Sequence, residues 1–287
     1  MNDETKRAVS ETVEKTVEAA EEAVRHPHIK KLARFGFYAK GVLFIVIGIL
    51  AVLVATGSHG GKLADPTGAL TTIALKPYGK FLLMLFIVGA IGHGVWNMLR
   101  GLADVDDAGR NWQGILKRII AGGVGGFYLF LAWTAWSIIL TANVSDENGK
   151  VQQTLTAILL ALPLGVVLVF LIGLIVIGAG FHECYSGITG KFQENYRLWE
   201  IEGVHLKFIT VLGALSFTAR ALIMALMGYY FIWAAINYNP DEAVGIDGAL
   251  LILAQSYYGK ILLFITAVGL VCHGVLAFYE AKYRRIC

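Results

Sequence analysis

Of 287 residues, 56% are hydrophobic and 16% charged, well under the roughly 25% charge of soluble domains, so the bilayer is the expected solvent. The formal charge of +3 is small and spread along the chain; with no nucleic-acid-reading motif, it sets nucleic acid aside as a partner. Cys184, Cys272 and Cys287 have no metal-like spacing, which excludes a zinc or disulfide framework as the organising element.

Residues 1–31 read as a cytosolic amphipathic acidic helix and linker. Val9, Val13, Val17, Ala20 and Val24 recur at intervals of three and four, opposite Glu11, Glu14, Glu18, Glu21 and Glu22, and Pro27 ends the pattern. Valine and alanine bury little area, so this helix needs a partner chain, a second copy of itself or its own membrane domain to stay ordered. Residues 1–26, together with the small-residue faces of the helices that follow, are therefore the expected surface for a membrane protein partner or for self-association. This charged stretch is no short basic leader, so the first apolar helix is expected to be retained.

Six apolar segments follow, at 41–57, 80–99, 119–141, 155–181, 208–237 and 261–279, and about 20 residues suffice to span a bilayer. Nineteen Lys and Arg fall on the side of the amino terminus and five on the other: Lys62, Lys76, Lys80, Lys150 and Lys260. The positive-inside bias then places both termini in the cytoplasm, as expected for a multi-pass protein of the bacterial cytoplasmic (inner) membrane. Trp133 and Trp136 close the third segment, at the level of the outer aromatic belt.

The segments form repeats. Gly68-Ala69-Leu70, Tyr78-Gly79-Lys80, Gly89 and His93-Gly94-Val95 recur 180 residues on as Gly248-Ala249-Leu250, Tyr258-Gly259-Lys260, Gly269 and His273-Gly274-Val275. A weaker middle copy keeps Arg118, Gly126, Pro163 and Gly165 in register with Lys40, Gly48, Pro77 and Gly79, with eight extra residues, no Gly-Ala-Leu turn and Ala179 in place of the histidine. The expected fold is all-α, six transmembrane helices in three parallel helix pairs around a pseudo-threefold axis. The pairs fall at 32–104, 110–190 and 205–283.

At these residues the chain resembles the bacterial membrane family known as domain of unknown function 1206, whose members resemble three tandem helix pairs. The likeness is carried by Ala33-Arg34-Phe35-Gly36 through Lys40-Gly41 and Gly48, by Gly68-Ala69-Leu70 with Pro77-Tyr78-Gly79-Lys80, and by their equivalents around Arg220 and Gly248 to Lys260. It covers about residues 32–283. It implies the architecture and no activity, cofactor or site residue.

Three groups of residues are candidates for function or packing. Lys40, Arg118 and Arg220 lie at or in apolar runs, where a base snorkels to the interface or finds a partner. The run from Phe208 to Asn237 is long enough that either 208–219 lies along the interface or Arg220 is buried, in which case a basic ring for an anion or acidic headgroup arises. His93 and His273 sit at matching depths to Gly48 and Gly228, so each glycine is expected to admit the histidine of its pair. Proton or substrate contact is the functional alternative for the histidines. Haem would need the two histidine helices to face each other, and no attachment motif is present, so no cofactor is expected.

Gly122, Gly123, Gly125 and Gly126 give the third segment a small-residue face, as do Ala90 and Gly94 the second. His182 and Glu183 adjoin as a solvated pair. With no nucleophile triad, phosphate loop or intramembrane carboxylate pair, an enzyme is not expected. The expected role is a non-enzymatic accessory or scaffold protein, the alternative a small-solute or ion pathway lined by the histidines and the three bases.

Overall fold

The computed structural model describes residues 26–58, 63–104, 109, 111–141, 150–201, 203–255 and 258–284, with scattered positions between 5 and 22. Most of the amino-terminal stripe, including Val9, Val13, Ala20 and Val24, lies outside the described residues, as do Lys62, Arg110, Arg285 and Cys287. Val17 is helical and half-buried, and Lys15 pairs with Glu11 at 2.7 Å on the exposed face.

All regular elements of the described residues are helices. They are α1 (Pro27–Ala55), α2 (Pro66–Ala74), α3 (Gly79–Ala103), α4 (Trp112–Thr141), α5 (Lys150–Leu160), α6 (Gly165–Thr189), α7 (Gly203–Ile236), α8 (Ile246–Gln255) and α9 (Gly259–Tyr283). Six of them, α1, α3, α4, α6, α7 and α9, are long and apolar enough to cross a membrane, so the chain is a multi-pass membrane protein.

Each repeat is therefore span, short helix, span, rather than span, turn, span. The Gly-Ala-Leu stretch expected as a turn is helical: Ala69 and Leu70 in α2, and Ala249 and Leu250 in α8, are fully buried. Asp65 starts α2 by accepting from the Gly68 amide at 2.8 Å, with Pro66 in the first turn where its missing N–H costs nothing. In the middle repeat the expected segment 155–181 is broken into α5 and α6 at Pro163 and Leu164, whose φ is +64°. A side chain on Gly165 would strike the Leu159 carbonyl, so glycine is needed where the short helix folds back on the span.

Two further spans differ from expectation. α1 begins at Pro27, fourteen residues before the expected start, which puts Lys40 near the helix middle rather than at its head. α7 is one continuous helix of 34 residues, about 51 Å at 1.5 Å per residue, so 208–219 is no separate interfacial helix.

The chain divides into two compact units, 1–40 with 78–142 and 285–287, and 41–77 with 143–284. In the first, α3 packs on α1 and on α4. A methyl group added to Gly36 of α1 would lie 2.6 Å from His93 Cβ, and one added to Gly89 of α3 would meet Ala39 Cβ at 2.5 Å. In the second unit α9 packs on α7 by the same contact, Gly269 against Ala219, and α6 packs along α7, where Gly173 and Gly228 face each other. The segment after α6 is a cap: Phe192, Tyr196 and Ile201 pack with Ile209, Leu212 and Leu276. Arg197 of that cap donates to the carbonyls of Lys282 and Tyr283, each at 2.8 Å, satisfying the end of α9.

Candidate functional site

The chemistry-bearing groups of the spans gather where the second span of one repeat meets the first span of another. Three such joints share one geometry. A methyl group added to Gly94 of α3 would lie 2.8 Å from Leu129 and 3.0 Å from the Gly125 carbonyl oxygen of α4. One added to Gly274 of α9 would lie 2.5 Å from both Ile45 and the Gly41 oxygen of α1, and one added to Gly180 of α6 would approach the Ala221 oxygen and Ala225 nitrogen of α7 at 3.1 and 3.6 Å. Backbones at this distance admit no side chain, which is why these positions are small.

The joints correct the register of the first span of the middle repeat; its second span, with Pro163 and Gly165, keeps the expected one. Gly41 corresponds to Gly125 and Ile45 to Leu129, an offset of 84 residues, whereas matching Lys40 to Arg118 implies 78. Six residues turn a helix by about 240°, so the two registers present different faces. In the observed register Arg118 aligns with Arg34, Val124 with Lys40, and Ala132 with Gly48. Lys40 and Arg220 remain equivalent, and the basic trio is not one set.

The histidines sit beside these joints, against partners other than those expected. His93, 4% exposed, rests on Gly36, with its ring edge-on to Phe37 at 4.8 Å and to Tyr128 at 4.4 Å. Asn97 donates to the His93 carbonyl at 2.8 Å and accepts from Arg100 at 3.0 Å. His273, 2% exposed, lies edge-on to Phe44 at 4.6 Å, and its Nδ1 shares a 2.7 Å hydrogen bond with Ser216 Oγ. Ser216 occupies the position of Gly36, and Tyr128 that of Phe44 in the contact register. Gly48 instead meets Val271 and the Ala267 carbonyl, and Gly228 meets Ile177 and the Gly173 carbonyl. The expected glycine–histidine pairing fails because the joint glycines are spent on helix backbones; twelve positions earlier, Gly36 abuts the Cβ and backbone of His93, and Ser216 bonds the His273 ring.

The bases are held by specific acceptors. Arg118 donates through Nε to the Gly101 carbonyl at 2.7 Å and through Nη2 to the Leu102 carbonyl at 2.6 Å, so it satisfies the last turn of α3 from the neighbouring helix. Arg220 pairs with Glu183 of α6 at 3.2 Å, both side chains being mostly buried. Glu183 is thus the counter-ion of Arg220 across the α6–α7 contact rather than half of a solvated pair with His182. Lys40 of α1 is half-buried and is not without a partner. Outside the spans, burial pushes the Asp65 carboxyl up from its ordinary range, and the charge of Asp247 adds to the shift.

The glycine face of the third span divides. Gly125 packs on Gly94 and Met98, whereas Gly122 and Gly123 have nothing within 4 Å of where a side chain would start. Gly123 stands in register with Ala39 and Ala219, the residues that close the outer two pairs against Gly89 and Gly269. On α6 the residue in register with those two glycines is Ile175, 64% exposed. Ser216, Glu183, Phe44, Tyr128 and Asn97 were not legible as partners in the sequence. Aligning Ser216 on Gly36 across the 180-residue offset is the one signal that marks a polar gain beside a repeated histidine. Among the described residues no three metal-ligating side chains cluster, and the open clefts at Arg118 and at Glu22 are not lined by His93, His273 or Ser216.

Comparison with known proteins agrees with the repeat reading. The family described as Domain of Unknown Function (DUF1206) matches three times, at residues 35–104, 121–190 and 215–284. The first two matches start 86 residues apart, close to the 84 of the observed contacts. The chain is 32% identical over 262 residues to "Uncharacterized protein YxxB" of Bacillus subtilis (strain 168), covering 91% of this chain and 93% of that protein. No solved structure matches. With three matching repeats along its length, the chain belongs to the DUF1206 family.

Proposed function

We propose that this protein is a non-enzymatic accessory or scaffold protein of the bacterial cytoplasmic membrane, with both termini in the cytoplasm. One observation carries the reading: Ser216, Arg118 and Arg220, polar groups of the spans, are each bonded to a neighbouring helix. Ser216 of α7 bonds His273 of α9, Arg118 of α4 bonds the end of α3, and Arg220 of α7 pairs with Glu183 of α6. A transport path needs polar groups that can replace a solute's water, and groups already bonded to one another do so poorly. The Ser216–His273 contact has the composition of a nucleophile and base, but Ser216 is 0% exposed, so no substrate reaches its oxygen. The open small-residue position at Gly123 supports docking of another helix on α4, since such positions are where membrane helices approach closely.

Affinity purification from membranes is expected to recover a membrane protein partner whose association weakens on deletion of residues 1–26 or on Gly123→Leu, while vesicles containing the purified protein show no protein-dependent flux. Ion or solute flux abolished by His93→Ala or Arg220→Ala would overturn the scaffold reading in favour of a pathway. The orientation rests on the 19 against 5 division of basic residues. Reporter fusions after Gly60 or Asn148 are expected to read outside, and after Gly109 or Gly190 inside; the opposite pattern sinks it.

A further inference from the structure

We propose that the cleft beside the α3–α4 joint binds one anionic glycerophospholipid, its phosphate on Arg118 and an acyl chain along Ile119 and Gly122. The cleft is an open groove of about 340 Å³, and Met98, Leu102, Ile115, Ile119 and Gly122 make it apolar apart from Arg118. One guanidinium at the rim of an apolar groove matches an amphiphile; a free phosphate would leave the groove unfilled.

The cleft exists because bulk is missing at a joint that is otherwise repeated. In the contact register Met98 corresponds to Phe278 and Gly122 to Tyr38. At the α9–α1 joint Phe278 fills the space against Gly41, 2.5 Å from where a side chain there would begin. At the α3–α4 joint the same backbone approach is kept with a flexible methionine and a glycine, and Gly122 faces open space.

Arg118 is oriented before any ligand arrives. Two of its N–H groups are anchored on the Gly101 and Leu102 carbonyls, which fixes the plane of the guanidinium and leaves its other donors for an anion. Among the described residues no carboxylate forms an ion pair with it; Asp104, the nearest acid in sequence beyond Leu102, accepts from the Gly109 amide at 2.9 Å. Lys117 beside it is exposed, and Trp112, 71% exposed, begins the same helix, about 9 Å away at helical rise. An exposed tryptophan at a span end marks headgroup level, where lipid phosphate resides. In the proposed orientation this is the cytoplasmic leaflet.

The test is native mass spectrometry of the purified, delipidated full-length protein in detergent, titrated with phosphatidylglycerol, with phosphatidylcholine of the same chains, and with glycerol phosphate as the soluble headgroup. Phosphatidylglycerol is expected to bind about tenfold more tightly than phosphatidylcholine, and Arg118→Gln to remove that preference. Because Arg118 also satisfies the end of α3, Gly122→Leu provides the independent variant. Its side chain has room in the fold and fills the cleft, so it is expected to weaken phosphatidylglycerol binding about tenfold with the melting temperature retained. Equal binding of the two lipids, unchanged binding in Gly122→Leu, or glycerol phosphate binding as tightly as phosphatidylglycerol would each overturn the proposal, the last in favour of a soluble anion.

Discussion

Gly48→Leu, Gly228→Leu and Gly274→Leu are each expected to lower the melting temperature of the purified protein in detergent, while Gly123→Leu leaves it unchanged or raises it. At the first three positions an added side chain would begin 2.5 to 3.0 Å from backbone atoms of the facing helix, such as the Val271 nitrogen, the Gly173 oxygen and the Gly41 oxygen. Backbone cannot rotate aside as a side chain can, so the helices must separate, at ~1–3 kcal/mol or more per site. Helix propensity acts in the opposite direction, because leucine in a helix interior is favoured over glycine by up to about 1 kcal/mol. Gly123, with nothing within 4 Å, receives that benefit without the clash. Four equal melting curves would show that the joints do not hold the fold.

Ser216→Ala is expected to destabilise the protein by ~1–3 kcal/mol, the cost of leaving a buried imidazole nitrogen without its partner. Ser216 is 0% and His273 2% exposed, so water does not readily replace the lost hydroxyl. His273→Phe in the Ser216→Ala background removes the hydroxyl and both ring nitrogens and keeps a ring against Phe44, so it is expected to recover part of the loss. A double mutant no more stable than Ser216→Ala would place the energy of this site in packing rather than in the hydrogen bond.

What the sequence shows directly is periodic. The spans, the repeats and the equivalence of His93 with His273 follow from apolar run length and from residues recurring at a fixed 180-residue offset. The short helices α2, α5 and α8 were not legible, because nine to eleven residues carry little periodic signal, and Gly-Ala-Leu reads as a turn until its burial is seen. Matching Arg118 and Gly126 to Lys40 and Gly48, a base and a glycine eight positions apart, gives the first span of the middle repeat the wrong register, whereas Pro163 and Gly165 keep theirs.

Composition and run length determined that this chain lives in a bilayer, since no folded soluble core could hide so much apolar surface. Identity at fixed spacing determined that the repeats share a design. Only the tertiary structure decided which face of each span turns inward. A helix that is apolar all round offers no amphipathic stripe from which to read its rotation, and membrane helices choose faces by how closely their backbones approach. That choice placed His93 on Gly36 and His273 on Ser216, put Glu183 opposite Arg220, and left Gly122 and Gly123 open while their neighbour Gly125 is packed.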